Sequence, residues 1–188
     1  MKKIIGISCI AFLAIFSYTT KSYGQVDNNI ASHSVTLNLG ESALLAIKTG
    51  NVNLNLSGAS EAGAAISMAA ADSITRLRIS SSVSTGKTRS INVSLSTGSI
   101  DGGSSLLVKA LPVENFSGDA AHYGTPLAEV ELLANASNGM LINNIGLCWS
   151  GTGADDGYKI KYTLKKPAGA TFSNGRTVTI VYTLSGEV

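Results

Sequence analysis

Nucleophilic catalysis needs a nucleophile, a base and a group that orients the base. The 188-residue chain has two histidines, His33 and His122. His33 falls in the solvent-facing phase of an alternating segment, and His122 in an irregular one beside Tyr123. Neither position is one where a base would be held. The sequence has no GxSxG elbow, HExxH helix or EF-hand loop. Ser84-Thr85-Gly86-Lys87-Thr88 has the form of the end of a phosphate-binding loop, but Ser81 stands where its first glycine belongs. Strand-type residues follow, where a helix N-terminus would have to supply amides and a dipole. The segment reads as a connection between strands, and no catalytic residue is assigned.

Binding chemistry has a few candidates. Gly151-Thr152-Gly153-Ala154-Asp155-Asp156-Gly157 is the densest glycine cluster and joins two strand patterns. Its adjacent carboxylates, Asp155 and Asp156, offer oxygens to Ca²⁺, the one cofactor the sequence admits. Neighbouring side chains on an extended chain diverge, however, and the remaining oxygens would have to come from elsewhere. A flexible loop is the simpler reading. Stacking on sugars needs exposed rings. Beyond residue 24 the aromatics are Phe116, Tyr123, Trp149, Tyr158, Tyr162, Phe172 and Tyr182. Tyr158, Tyr162 and Tyr182 are in phase with a core, which leaves Trp149, Tyr123 and Phe116. Trp149, Tyr123, Asp155 and Asp156 are therefore the candidate ligand contacts.

The elements that must position these residues alternate with a period of two. Val35, Leu37 and Leu39 alternate with polar residues, as do Val52, Leu54 and Leu56, then Leu77 and Ile79, then Ile91, Val93 and Leu95. Tyr158, Ile160, Tyr162 and Leu164 alternate with Lys159, Lys161, Thr163 and Lys165, and Val178, Ile180, Tyr182 and Leu184 follow the same rule. Less regular apolar runs lie at Ala43–Ile47, Leu106–Leu111, Leu127–Leu133 and Met140–Leu147. Turn residues punctuate them, as at Asn138-Gly139 and Ser173-Asn174-Gly175. This predicts an all-β antiparallel β-sandwich, Ig-like or pilin-like, of nine or ten strands. Ala59–Asp72 is rich in helix formers, and a short helix or a crossover is expected there.

Residues 1–24 have the basic start, apolar run (Ile4 to Tyr18) and small-residue tail (Ser22, Gly24) of a secretory signal. The apolar run is short of the roughly 20 residues a membrane span needs. Removal of those 24 residues leaves 164. Lys2, Lys3 and Lys21 go with them and no acidic residue does, so the net charge moves from +2 to −1. Cys9 also goes, leaving Cys148 unpaired. Residues 25–31 form a polar lead-in, and 32–188 a single domain. The mature chain contains no membrane span, and its charge is too small and of the wrong sign for a nucleic-acid partner.

The segments Ile145–Gly153, Tyr158–Leu164 and Thr177–Leu184, with the opening His33–Leu37 and Ala43–Ile47, resemble small exported proteins of Bacteroidota-type bacteria. More remotely, the closing strand is similar to those of pilin-type, spore-coat-U-type and WxL surface domains. Asp72-Ser73-Ile74 resembles an O-glycosylation site of such exported proteins, at Ser73. The resemblance implies a surface, matrix or fimbria-like structural or adhesion protein, located in the periplasm, at the outer surface or outside the cell. Self-assembly or contact with other surface proteins would be its business. The alternative is a glycan- or ligand-binding module.

Overall fold

The structure, a computed structural model, describes residues 33–37, 40–48, 51–67, 69–98, 100, 103–114, 120–133, 138–169 and 176–188. The expected signal, the lead-in and Phe116 lie outside these residues. The chain divides after Asn38, and the sheets belong to Leu39–Val188. The expected first strand is not formed: residues 33–37 have no regular structure, and Val35 and Leu37 are 67% and 88% exposed.

The described residues form ten strands: β1 (Ser42–Ile47), β2 (Ala69–Ser82), β3 (Arg89–Thr97), β4 (Ser105–Ala110), β5 (Thr125–Pro126), β6 (Val130–Leu132), β7 (Asn138–Ile145), β8 (Cys148–Trp149), β9 (Tyr158–Lys165) and β10 (Thr179–Leu184), with a 3₁₀ turn at Ala120–His122. One sheet runs β1-β2-β9-β4-β6, with β8 also on β2, and the other runs β10-β3-β7-β5. All pairings are antiparallel. The all-β sandwich-like fold expected from the alternation is the fold observed.

The predicted phases hold where strands form. Leu77, Ile79, Tyr158, Ile160, Leu106, Val108 and Leu132 of the six-stranded sheet meet Ile91, Val93, Leu141, Ile142 and Ile145 of the other in one core. Each such side chain contributes about 1.5–3 kcal/mol through burial. Leu141 and Ile142 are consecutive yet both buried, because the β3–β7 register shifts between the pairs Ile91↔Ile142 and Asn92↔Met140. A bulge of this kind turns two neighbouring residues toward one face.

Two expectations are corrected. Ala59–Asp72 is not helical. Gly63 sits at φ +88° in a turn closed by Ala64 N–H donating to Glu61 O at 3.1 Å. Without an apolar stripe a helix there would have nothing to bury. Ala69, Ala70 and Ala71 instead pair with Lys165, Leu164 and Thr163 of β9. Val52–Leu56 forms no strand either, although Val52 and Leu54 still pack on the core.

Two polar contacts join the sheets. Tyr162 of β9 and Tyr182 of β10 share a hydrogen bond of 2.7 Å between their hydroxyls. At one end of the sandwich Arg89, in phase with Ile91 and Val93, is only 4% exposed. Its Nη1 donates to Ser185 O at 3.1 Å and its Nη2 to Ser82 O at 3.3 Å. Glu41 and Glu187 lie 3.5 and 3.9 Å from Nη2.

Arg89→Met should cost about 3 kcal/mol in urea unfolding, since it strips partners from groups arranged around a buried cation. A loss below about 1 kcal/mol would show that the junction carries little. Burial also holds the Tyr158 and Tyr182 phenols well above their ordinary pKa of 10.0 and raises that of Tyr162. The unfolded chain then loses these protons first as pH rises, so the stabilisation is full below about pH 10 and is lost above it. Tyrosinate absorbance should appear together with loss of the fold. Titration of all tyrosines at ordinary values in a still-folded protein would contradict this burial.

Candidate functional site

One edge of β2 is used twice. Ser80 and Ser81 pair with Trp149 and Cys148 of β8, and further back along the same strand Leu77 and Arg76 pair with Tyr158 and Lys159 of β9. Residues 150–157 must therefore leave the sheet edge and return to it three β2 residues away, about 10 Å. Ser150 anchors the departure. Its N–H donates to Ile79 O at 2.9 Å, and its buried hydroxyl accepts from Ile79 N–H at 3.1 Å. Gly157 anchors the return at φ +105°, where a Cβ would stand 2.5 Å from Leu77 O. No residue with a side chain fits both the conformation and the space.

Within the loop the two aspartates diverge. Asp156 is buried and its Oδ2 accepts from Gly153 N–H at 2.6 Å, closing a turn that Asp156 N–H to Gly153 O reinforces at 3.2 Å. Asp155 is 75% exposed and points to Arg76, with Oδ1 3.5 Å from Nη2. One carboxylate shapes the loop and the other fastens it to the sheet, so the structure does not bring them together on one ion. Among the described residues no group of three or more His, Cys, Asp or Glu is placed to hold a metal.

The ring candidates separate as well. Trp149 is 50% exposed. Its register partner is Ser80, while the preceding pair Ser81↔Cys148 is buried, so Trp149 stands on the outer face of the six-stranded sheet. Tyr123 is only 5% exposed and belongs to the core. The expectation that it joins Trp149 on a surface is corrected: the 3₁₀ turn carries it inward. It backs a concavity of about 380 Å³ lined also by Pro112, Val113, His122, Pro126 and Asn144. His122 is exposed there with no carboxylate in the lining. Ser73 lies in a bulge of β2, between the pairs Asp72↔Tyr162 and Thr75↔Ile160. Asp72 Oδ1 accepts from Ile74 N–H at 3.0 Å, which shapes the bulge. Ser84–Thr88 is the turn between β2 and β3, with Lys87 N–H donating to Ser84 O at 3.0 Å.

Cationic side chains share this face with Trp149. Arg76 and Arg78 of β2, Lys159 and Lys161 of β9, and Lys109 of β4 share its outer face by register. Arg78 Nη2 donates to Gly153 O, tying the loop to this group. The alternation shows Arg76, Arg78, Lys159 and Lys161 in the outward phase of their own strands, and only the β2–β9–β4 pairing brings them together with Lys109. Comparison with protein-family models, curated proteins and solved structures finds no match.

Gly157→Ala should destabilise the protein by about 2 kcal/mol or more, through an unfavourable φ and a clash with the β2 backbone. Thermal unfolding measures it. An unchanged melting temperature would mean that the loop is not held at this point.

Proposed function

We propose that this chain is an exported, non-enzymatic sandwich of the cell surface or its matrix, structural or adhesive in role and fimbria-like in the sense that it assembles through sheet edges. The observation that carries this reading is the state of β1 and β10. Among the described residues each ends a sheet and pairs on one side only, β1 with β2 and β10 with β3. Free strand edges present a row of backbone donors and acceptors that another strand can complete. Exposed apolar side chains lie on both, Leu44 on β1 and Val181 on β10. The alternating residues Val35 and Leu37, also exposed, are strand-like in sequence and enter no sheet. An O-linked sugar at Ser73 fits the same exported setting.

A second reading, a glycan- or ligand-binding module, is favoured by one observation: an indole half exposed on a flat sheet face beside two guanidinium groups. Trp149→Ala should then abolish signals on a glycan array while the melting temperature holds.

For the leading reading, residues 25–188 should self-associate as concentration rises in analytical ultracentrifugation. Leu44→Lys and Val181→Lys, which charge the two edges without entering the core, should each reduce that association. A monomer at every concentration would sink the reading.

A further inference from the structure

Charge is distributed unevenly over this protein. Of the 14 basic residues in the chain, six occupy the outer face of the six-stranded sheet: Arg76, Arg78, Lys109, Lys159, Lys161 and Lys165. Two pairs of like charges sit directly opposite one another, Arg76↔Lys159 and Lys109↔Lys161. Direct cross-strand pairs of like charge destabilise a sheet. Among the described residues three carboxylates stand against these six cations, Asp155, Glu129 and Glu131, the last on the outer face of β6 opposite Leu107. Arg76 meets Asp155 at 3.5 Å, and Lys165 meets Glu129 at 3.9 Å. Arg78, Lys109, Lys159 and Lys161 make no ion pair with a described carboxylate. Each arginine also keeps one buried donor without an acceptor, Nη1 on Arg76 and Nε on Arg78.

The arrangement is elongated. Trp149 stands level with Ser80, Lys159 level with Arg76, and Lys161 two residues further along β9. At about 3.3 Å per residue the row from the indole to Lys161 and Lys109 spans roughly 20 Å. It begins with an aromatic ring and continues as cations.

We infer that this face binds an acidic polysaccharide, with the Trp149 ring stacked on a sugar and the row from Arg78 to Lys109 and Lys161 receiving its carboxylates or sulfates. The inference rests on the glycan-binding reading of Trp149 and adds the charge class of the ligand. Guanidinium groups match carboxylates and sulfates in planar, two-point contacts, and ammonium groups add point charge. A chain with one anion every sugar or two, lying along the strands, meets both features at once. A membrane surface fits less well, because the cations lie in a narrow row and Leu107, beside Lys109 on the same face of β4, is buried rather than raised for insertion. Single-stranded nucleic acid would use several aromatic platforms, and among the described residues this face presents one, Trp149.

The test is affinity electrophoresis of residues 25–188 through gels containing polygalacturonate, neutral dextran or no polymer. Polygalacturonate should retard the protein and dextran should not, and the retardation should weaken steeply with salt. Lys161→Glu should weaken binding at least about tenfold while the melting temperature stays level or rises, since Lys109 then faces an opposite charge. Trp149→Ala should weaken binding several-fold. Retention by dextran equal to that by polygalacturonate, lost on Trp149→Ala, overturns the acidic class and leaves the glycan reading standing. Retention by neither polymer overturns both. Tighter binding to anionic phospholipid vesicles or to a single-stranded oligonucleotide than to polygalacturonate also overturns the proposal.

Discussion

The sandwich is organised at one end by a buried cation. Arg89 is the first residue of β3, where the chain passes from the six-stranded to the four-stranded sheet, and its side chain occupies a core-facing position. A guanidinium there must be met by acceptors or it destabilises the fold by several kcal/mol. The acceptors come from the last residue of β2 (Ser82), the residue after β10 (Ser185), the residue before β1 (Glu41) and Glu187. Glu187 is shared, since its Oε1 also accepts from Ser84 N–H at 2.7 Å. Three segments, before β1, at the end of β2 and after β10, are thereby fixed around one side chain. The closing segment continues the pairing, with Val188 N–H donating to Thr88 O at 3.0 Å.

This constraint shapes what the surfaces can do. With β10 fastened at the Arg89 end and tied across to β9 by the Tyr162–Tyr182 bond in its middle, the two sheets share a core although β1 and β10 both end their sheets. The outer face of β2, β9 and β4 lies outside this core: Ser105 and Leu107 of β4 are buried on it, while Lys109, Lys161 and Lys165 are exposed. It carries side chains that a core-facing surface could not hold, cations opposite cations with an indole at the end of the row. The 151–157 loop depends on the same sheet. Its glycines and Asp156 fold it back on the β2 edge, and Arg76 and Arg78 hold it there.

Much of the fold was legible in the sequence, for a definite reason. Alternation records burial on one side only, and in β3 and β9 every predicted inward residue is buried. Val35–Leu39 and Val52–Leu56 show the limit: alternation states what a strand would bury, not whether a partner is available to pair with it. Ala59–Asp72 shows another, because alanine-rich composition carries no face and was decided by Gly63 and by the free length of β9. Tyr123 was misplaced because a three-residue 3₁₀ turn has no period to read. Arg89 could have been found, since it continues the inward phase of Ile91, Val93 and Leu95. The cationic row needed the strand order, as Lys109 and Lys161 are 52 positions apart and meet only through the β4–β9 pairing.

Native-state hydrogen exchange on the wild type and on Arg89→Met tests most directly whether the buried guanidinium holds the two sheets together. If it does, amides of β10 and residues 185–188 lose protection selectively in the variant, while those of β2 and β9 remain the slowest to exchange. Equal protection of β10 in both proteins, or a uniform loss across all strands, would contradict an account in which Arg89 is the local clasp of the sandwich.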